Sequence, residues 1–133
     1  LRAFAALVVP WQEGELLLCD IEDRGWCIPS GRVEPFESSI DAAKREAVEE
    51  AGAILEDILY LGCYRICERN EVRWADIFTA RVAELVDIPE EFESAGRQFV
   101  TVAQLPEIYY LWNSLTEAVI LHARSVMERH LGR

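Results

Sequence analysis

The chain has 133 residues, room for one domain of ordinary size and little for a second. Apolar residues make up 51%, and no charge-free apolar run reaches spanning length, so neither wholesale disorder nor a membrane-crossing helix is expected. With 24 acidic and 13 basic side chains the formal net charge is -11, which disfavours broad binding to a phosphate backbone or an anionic bilayer. A small phosphorylated ligand stays open, because a bound divalent cation reverses the local sign. Twelve of the basic residues are Arg, whose planar forks suit phosphate or carboxylate. Cys19, Cys27, Cys63 and Cys67 form no CxxC pair and read as reduced, mostly buried thiols. His122 and His130 lack zinc-finger spacing. Arg2 breaks the opening apolar run, which therefore does not read as a signal peptide. The Leu1 start suggests missing leading residues.

Arg2–Val9 reads as a strand stopped by Pro10, and Glu15–Ile21 as its hairpin partner across Glu13-Gly14. Trp26–Ile28 is a brief apolar run ended by Pro29. Ser30–Phe36, with Gly31 and Pro35, reads as an irregular loop. Ser38 or Ser39 can cap a helix whose apolar stripe is Ile40, Ala43, Ala47 and Ala51, and Gly52 supplies a left-handed stop. Ile54–Ile66 and Glu71–Val86 read as strands joined through polar Cys67–Asn70. Ile88–Gly96 is an acidic loop, Arg97–Val102 a last strand, and Ala103–Glu107 a short helical turn. Asn113 or Ser114 can cap a long final helix with Leu115, Val119, His122, Val126 and Met127 on one side. Strands, helix, strands and a long helix predict an α/β fold with helices on two sides of a mixed sheet, as a single domain over residues 1–133.

The first helix carries the chemistry. With Glu46 at zero on a helical wheel, Glu50 falls near about 40° and Glu49 near about 300°. Three carboxylates thus share one face and repel one another. A divalent cation compensates them well, since Mg²⁺ prefers hard oxygen ligands. Arg45 can pair with Glu49 one turn on, or reach back to Glu37 at the helix entrance. A solvated acidic face is the plain alternative for these residues taken alone. The full string narrows the choice: Gly31, five residues, Glu37, seven residues, Arg45-Glu46, Ala47, one residue, Glu49-Glu50, one residue, Gly52 and Ala53.

That string resembles the 23-residue box of the Nudix hydrolase family, and the MutT-like members set the comparison. The resemblance implies the family's α/β/α sandwich, with a mixed sheet between helices. It implies Mg²⁺- or Mn²⁺-dependent cleavage of a diphosphate linkage in a nucleoside triphosphate or a nucleoside diphosphate derivative. By matching position, Glu46, Glu49 and Glu50 become the metal ligands, with the Ser30 carbonyl joining them. Glu37 and Arg45 become the structural and orienting pair. Glu46 leads as the base that takes a proton from water, although family members place this base differently. Glu93, just before the last strand, is the favoured carboxylate from outside the box. The chain departs from the family at Ser30, where Gly is common, and at Phe36, where Gly is also common. A Nudix-fold nucleotide-binding or regulatory domain with little turnover is the alternative.

Trp26, Tyr64 and Trp74 can stack on a base, and Arg32, Arg65, Arg69, Arg73 and Arg97 can meet phosphates. The expected partner is a small nucleotide-like diphosphate, with no membrane and no nucleic acid. A homodimer is left open, and a cytoplasmic location is expected.

Overall fold

The computed structural model describes residues 2–92 and 94–132. Strand β1 (Ala5–Gln12) and strand β2 (Glu15–Ile21) are joined by Glu13-Gly14. Both turn residues have positive φ, 51° and 82°. That is the pattern of a type I′ turn, whose twist matches its flanking strands. Contrary to the sequence reading, β1 does not stop at Pro10. The Val8 N–H donates to Pro29 O at 3.1 Å. Strand alternation turns Pro10 to that same side, between the β1 segment that pairs with the Ser30–Arg32 strand and the segment that pairs with β2. A missing N–H breaks no ladder bond there.

Strand β3 (Gly25–Cys27) pairs with β2, and strand β4 (Ser30–Arg32) pairs antiparallel with β1. The first three residues of the expected loop are therefore strand, because the backbone after Pro29 finds the open edge of β1. Helix α1 (Ser39–Ala51) is capped by Ser38, whose hydroxyl accepts from the Asp41 N–H at 3.2 Å. Gly52 ends it at φ 59°, as the sequence predicts. Strands β5 (Ala53–Glu68) and β6 (Glu71–Leu85) form a long hairpin. Its turn is only Arg69-Asn70, both at positive φ, so the expected polar connection is shorter than Cys67–Asn70. Strand β7 (Ser94–Val100) starts earlier than expected and pairs with β2. A 3-10 turn (Val102–Gln104), helix α2 (Leu105–Ile108) and helix α3 (Ser114–His130) follow. Asn113 caps α3 by accepting from the Thr116 N–H at 2.9 Å.

The sheet runs β3-β2-β1-β6-β5, with β4 also on β1 and β7 also on β2. It is mixed, because β1 and β6 are parallel. Alternation sends Ala6, Val8, Leu17 and Cys19 to the α1 face and Val9, Trp11, Leu16 and Leu18 to the α3 face. Strands buried on both faces show runs of apolar residues in place of strict alternation. This is the α/β/α sandwich. Buried Thr79 is satisfied: Trp11 Nε1 donates to its Oγ1, which donates to Val9 O, both at 2.9 Å. Among the described residues no helix is long and apolar enough to cross a membrane.

Two stripes need correction. On α1 the buried set is Ala42, Ala43, Ala47 and Ala51, while Ile40 lies at the exposed rim. On α3 it is Ile120, Ala123 and Met127, while Leu115 and His122 face solvent. The helix is rotated toward the i, i+3, i+7 set, which shares one core cluster with Val9, Trp11, Leu16 and Leu18. All four cysteines are free, but only Cys19 and Cys27 are buried. Cys63 and Cys67 are exposed on β5, the edge strand.

Arg97, a candidate for outer phosphates, does other work. Its Nη1 donates to Ala51 O and Gly52 O, each at 3.1 Å, and to Val86 O. It satisfies carbonyls that the end of α1 leaves open and places a cation at the negative pole of that helix. Arg97→Ala is expected to lower stability by about 1–3 kcal/mol through the lost charged hydrogen bonds. Denaturant unfolding monitored by circular dichroism checks this.

Candidate active site

The alanine face of α1 sets the geometry. Its small side chains let the helix lie close to the sheet, which brings its carboxylates down against β4. Gly31 of β4 faces Glu46 directly. A Cβ placed on Gly31 would fall 2.1 Å from Glu46 Oε1 and 2.2 Å from its Cδ. The glycine is thus required for space. Glu46 Oε1 belongs to the movable end of a side chain, so the fold can yield where the site cannot. Gly31→Ala is expected to shift the melting temperature by only a few degrees yet lower any Glu46-dependent activity more than tenfold, on the order of 1.4 kcal/mol in the barrier. Melting curves and initial rates on the same preparation test both halves.

Arg45 is the hub. Its Nε and Nη2 donate to Glu37 Oε2 and Oε1 at 2.8 and 3.0 Å. Its Nη1 donates to Glu46 Oε1 at 2.8 Å and Glu49 Oε2 at 3.2 Å. Nη2 also donates to Arg32 O at 2.9 Å, which ties the helix to β4. The two pairings that the sequence offers for Arg45, with Glu37 and with Glu49, are both made. Glu50 takes a different donor: its Oε1 accepts from the Ser30 N–H at 2.8 Å.

These contacts give the carboxylates different characters. The Arg45 guanidinium, helped by the Glu34 N–H, holds the Glu37 carboxyl down to about 2. The same carboxylates hold Arg45 charged above its ordinary range, with Glu37 the strongest. Burial pushes the Glu46 carboxyl up, against the pull of Arg45. Burial pushes Glu50 up to about 8. The charge of Glu46 adds to this, and the Ser30 N–H opposes it. Glu46 keeps Arg45 as a charged partner, whereas Glu50 is held by the neutral Ser30 N–H alone.

The loop before α1 is a tight turn. Glu37 N donates to Glu34 O at 3.1 Å, and Glu34 N donates to Glu37 Oε1 at 3.0 Å. Pro35 and Phe36 are the central residues, and Phe36 has φ 66°. That is the type II pattern, which favours Gly at the second central position. Phe36 is fully exposed at this strained position.

The other sequence candidates scatter. Tyr64 lines a cleft of about 350 Å³ with Leu7, Ile28, Tyr109 and Tyr110. Leu7 pairs with Ser30 in the β1–β4 ladder, so this cleft adjoins the residue that holds Glu50. Tyr109 and Tyr110 stack with centroids 5.8 Å apart. Neither tyrosine stands out by spacing, although their place in the aromatic run just before α3 was a signal that could have found them. Trp26 is half-buried and packs against the core cluster that α3 joins. Trp74 lies in a separate cleft with Tyr60, Cys63 and Asp76. Arg69 sits in the exposed β5–β6 turn, away from the carboxylates. Arg32 and Arg73 both lie over the Phe4 ring, 4.8 and 4.4 Å from its centroid. Glu93 lies outside the described residues.

A family model described as NUDIX domain matches residues 1–120. The chain belongs to the Nudix family. A Bacillus subtilis protein named "Putative 8-oxo-dGTP diphosphatase YtkD" is 38% identical over 94 residues, which are 71% of this chain and 58% of that protein. The chain thus matches under two-thirds of that relative's length. The structure of the Bacillus subtilis pyrophosphohydrolase BsRppH superposes with a TM-score of 0.82 at 25% identity, covering 94% of this chain and 83% of that one. A Nudix-family hydrolase from Clostridium perfringens gives a TM-score of 0.72 at 17% identity, over 96% and 99% of the two chains, and shows the shared fold. Among the described residues no group of three His, Cys, Asp or Glu side chains stands ready as a cation cage. In this Nudix site Glu46 Oε1 and Glu49 Oε2 accept from Arg45, and Glu50 Oε1 accepts from the Ser30 N–H.

Proposed function

We propose that this chain is a Mg²⁺- or Mn²⁺-dependent hydrolase of a diphosphate linkage in a small nucleotide. One observation carries the reading: Glu46, Glu49 and Glu50 lie on one face of α1 beside Gly31, with Arg45 and Ser30 orienting them. An all-oxygen, carboxylate-rich donor set suits a hard divalent cation, and the raised carboxyls of Glu46 and Glu50 are the groups such a charge would relieve. Glu46, Glu49 and Glu50 would hold it, with the Ser30 carbonyl as a fourth donor and Glu93 as a fifth from outside the box. When bound, such an ion neutralises phosphate oxygens and acidifies water.

The chain's own groups divide the remaining work. Arg45 keeps Glu46 and Glu49 aligned and ties them to Glu37. Glu46 is the leading acceptor for the proton of the attacking water. The Ser30 N–H fixes one Glu50 oxygen and leaves the other free. The Tyr64–Tyr109–Tyr110 cleft is a flat-walled place for a base. The test is a panel assay with Mg²⁺ or Mn²⁺ and product identification, using nucleoside triphosphates, ADP-ribose, dinucleoside polyphosphates and nucleotide sugars. Because the Bacillus subtilis relative is named for 8-oxo-dGTP, that compound and dGTP belong on the panel. Metal-dependent release of phosphate or diphosphate products supports the reading. Tight nucleotide binding without product favours a binding or regulatory domain.

A further inference from the structure

Arg32 and Arg73 approach the same phenyl ring, that of Phe4. Arg2 lines a cleft of about 450 Å³ with Phe4, Arg32 and Glu34, and its guanidinium donates to the Glu34 and Glu37 carbonyls. A ring quadrupole offsets only part of the repulsion between guanidiniums held together in this way. The carboxylates nearby are already engaged: Glu71 accepts from Arg73 at 2.8 and 3.2 Å, and Glu34 lies 3.7 Å from Arg45. Among the described residues Arg32 has no carboxylate partner. In a chain of net charge -11, this concentration of cations stands out. It also adjoins the carboxylate site, because Arg32 O accepts from Arg45.

We propose that Arg2, Arg32 and Arg73 form an accessory phosphate-binding site beside the α1 carboxylates, with Phe4 as the platform that holds Arg32 and Arg73 in place. Guanidinium forks match phosphoryl oxygens two at a time. The phosphoryl group comes either from the far end of the substrate or from the released product. Only this choice of source rests on the hydrolase reading.

The experiment is calorimetric titration of the whole chain with inorganic pyrophosphate in EDTA, so that no divalent ion contributes. The parent should bind, more weakly as salt rises. Arg32→Gln and Arg73→Gln should each weaken binding at least fivefold, and Phe4→Leu should do so by releasing the guanidiniums. Arg124→Gln, on the far helix, should change nothing. Glu71→Gln should tighten binding by freeing Arg73, a gain that misfolding cannot produce. No binding by the parent, unchanged affinity in Arg32→Gln and Arg73→Gln, or weaker binding in Glu71→Gln would overturn the proposal. A higher KM for a triphosphate in Arg32→Gln assigns the site to substrate. Relief of pyrophosphate inhibition at unchanged KM assigns it to product. A chain that shows the binding pattern but cleaves no diphosphate supports this site and overturns only the hydrolase reading.

Discussion

Glu49→Gln and Glu50→Gln are each expected to lower diphosphate cleavage roughly a hundredfold or more while the fold survives. A divalent cation contributes several kcal/mol of transition-state stabilisation, and each 1.36 kcal/mol is about tenfold in rate. Removing one ligand charge forfeits a large part of that. Glu46→Gln should be at least as severe, because Glu46 is also the leading proton acceptor. The fold has little to lose in each case. Gln matches Glu in size, and at position 50 its oxygen can still accept from the Ser30 N–H. Without metal, the melting temperature of Glu50→Gln should stay level or rise, since burial already disfavours the charged carboxylate there. Added Mn²⁺ should raise the melting temperature of the parent more than that of any variant. Rates and Mn²⁺-dependent melting on the three variants decide the matter. Parental values in all of them would return the cluster to a charged helix face.

Arg45→Ala should damage both stability and activity. The guanidinium gives five hydrogen bonds within 3.2 Å, to Glu37, Glu46, Glu49 and Arg32 O. Its removal leaves part-buried carboxylates facing one another and unties β4 from α1. The expected loss is about 2–4 kcal/mol of metal-free stability. Activity should fall through weaker metal binding or a lower maximal rate. Arg45→Lys should recover little, because one ammonium cannot reproduce a planar fork that reaches three carboxylates. Mn²⁺ should restore part of the lost stability by relieving the same repulsion. Normal turnover and normal metal response in folded Arg45→Ala would remove the hub role.

The parts of this molecule that were legible in the sequence are those fixed by local spacing. Ser38, the Glu46–Glu49–Glu50 face and Gly52 all lie within one helix and its caps, where 3.6-residue geometry decides position. Glu13-Gly14 is legible for the same reason. What stayed hidden depends on partners far along the chain. Pro10 reads as a stop until the gap between the two partners of β1 is seen. Arg97 reads as a phosphate ligand until β7 places it at the end of α1. Ser30 promises only a carbonyl, but pairing with Leu7 aims its N–H at Glu50. The aromatics divide between core and cleft according to which sheet face covers them, and no spacing rule reports that.

The brief β1–β2 ladder has a kinetic consequence. After Trp11↔Leu16 and Gln12↔Glu15 the two strands part, and each completes its pairing with a distant segment. Ala5 meets Ala75, and Leu16 meets Val100. Among the described elements, the β5–β6 hairpin, the short β1–β2 and β2–β3 ladders and the helices can form from near neighbours. Loop closure must come before the rest, and chains with such distant pairings fold more slowly than helical bundles of equal length. β4 has nowhere to dock until β1 is in place. Gly31 therefore reaches Glu46, and Ser30 reaches Glu50, only after β4 has paired with β1 and α1 has docked against them. A nascent chain exposes its acidic helix before it owns a site.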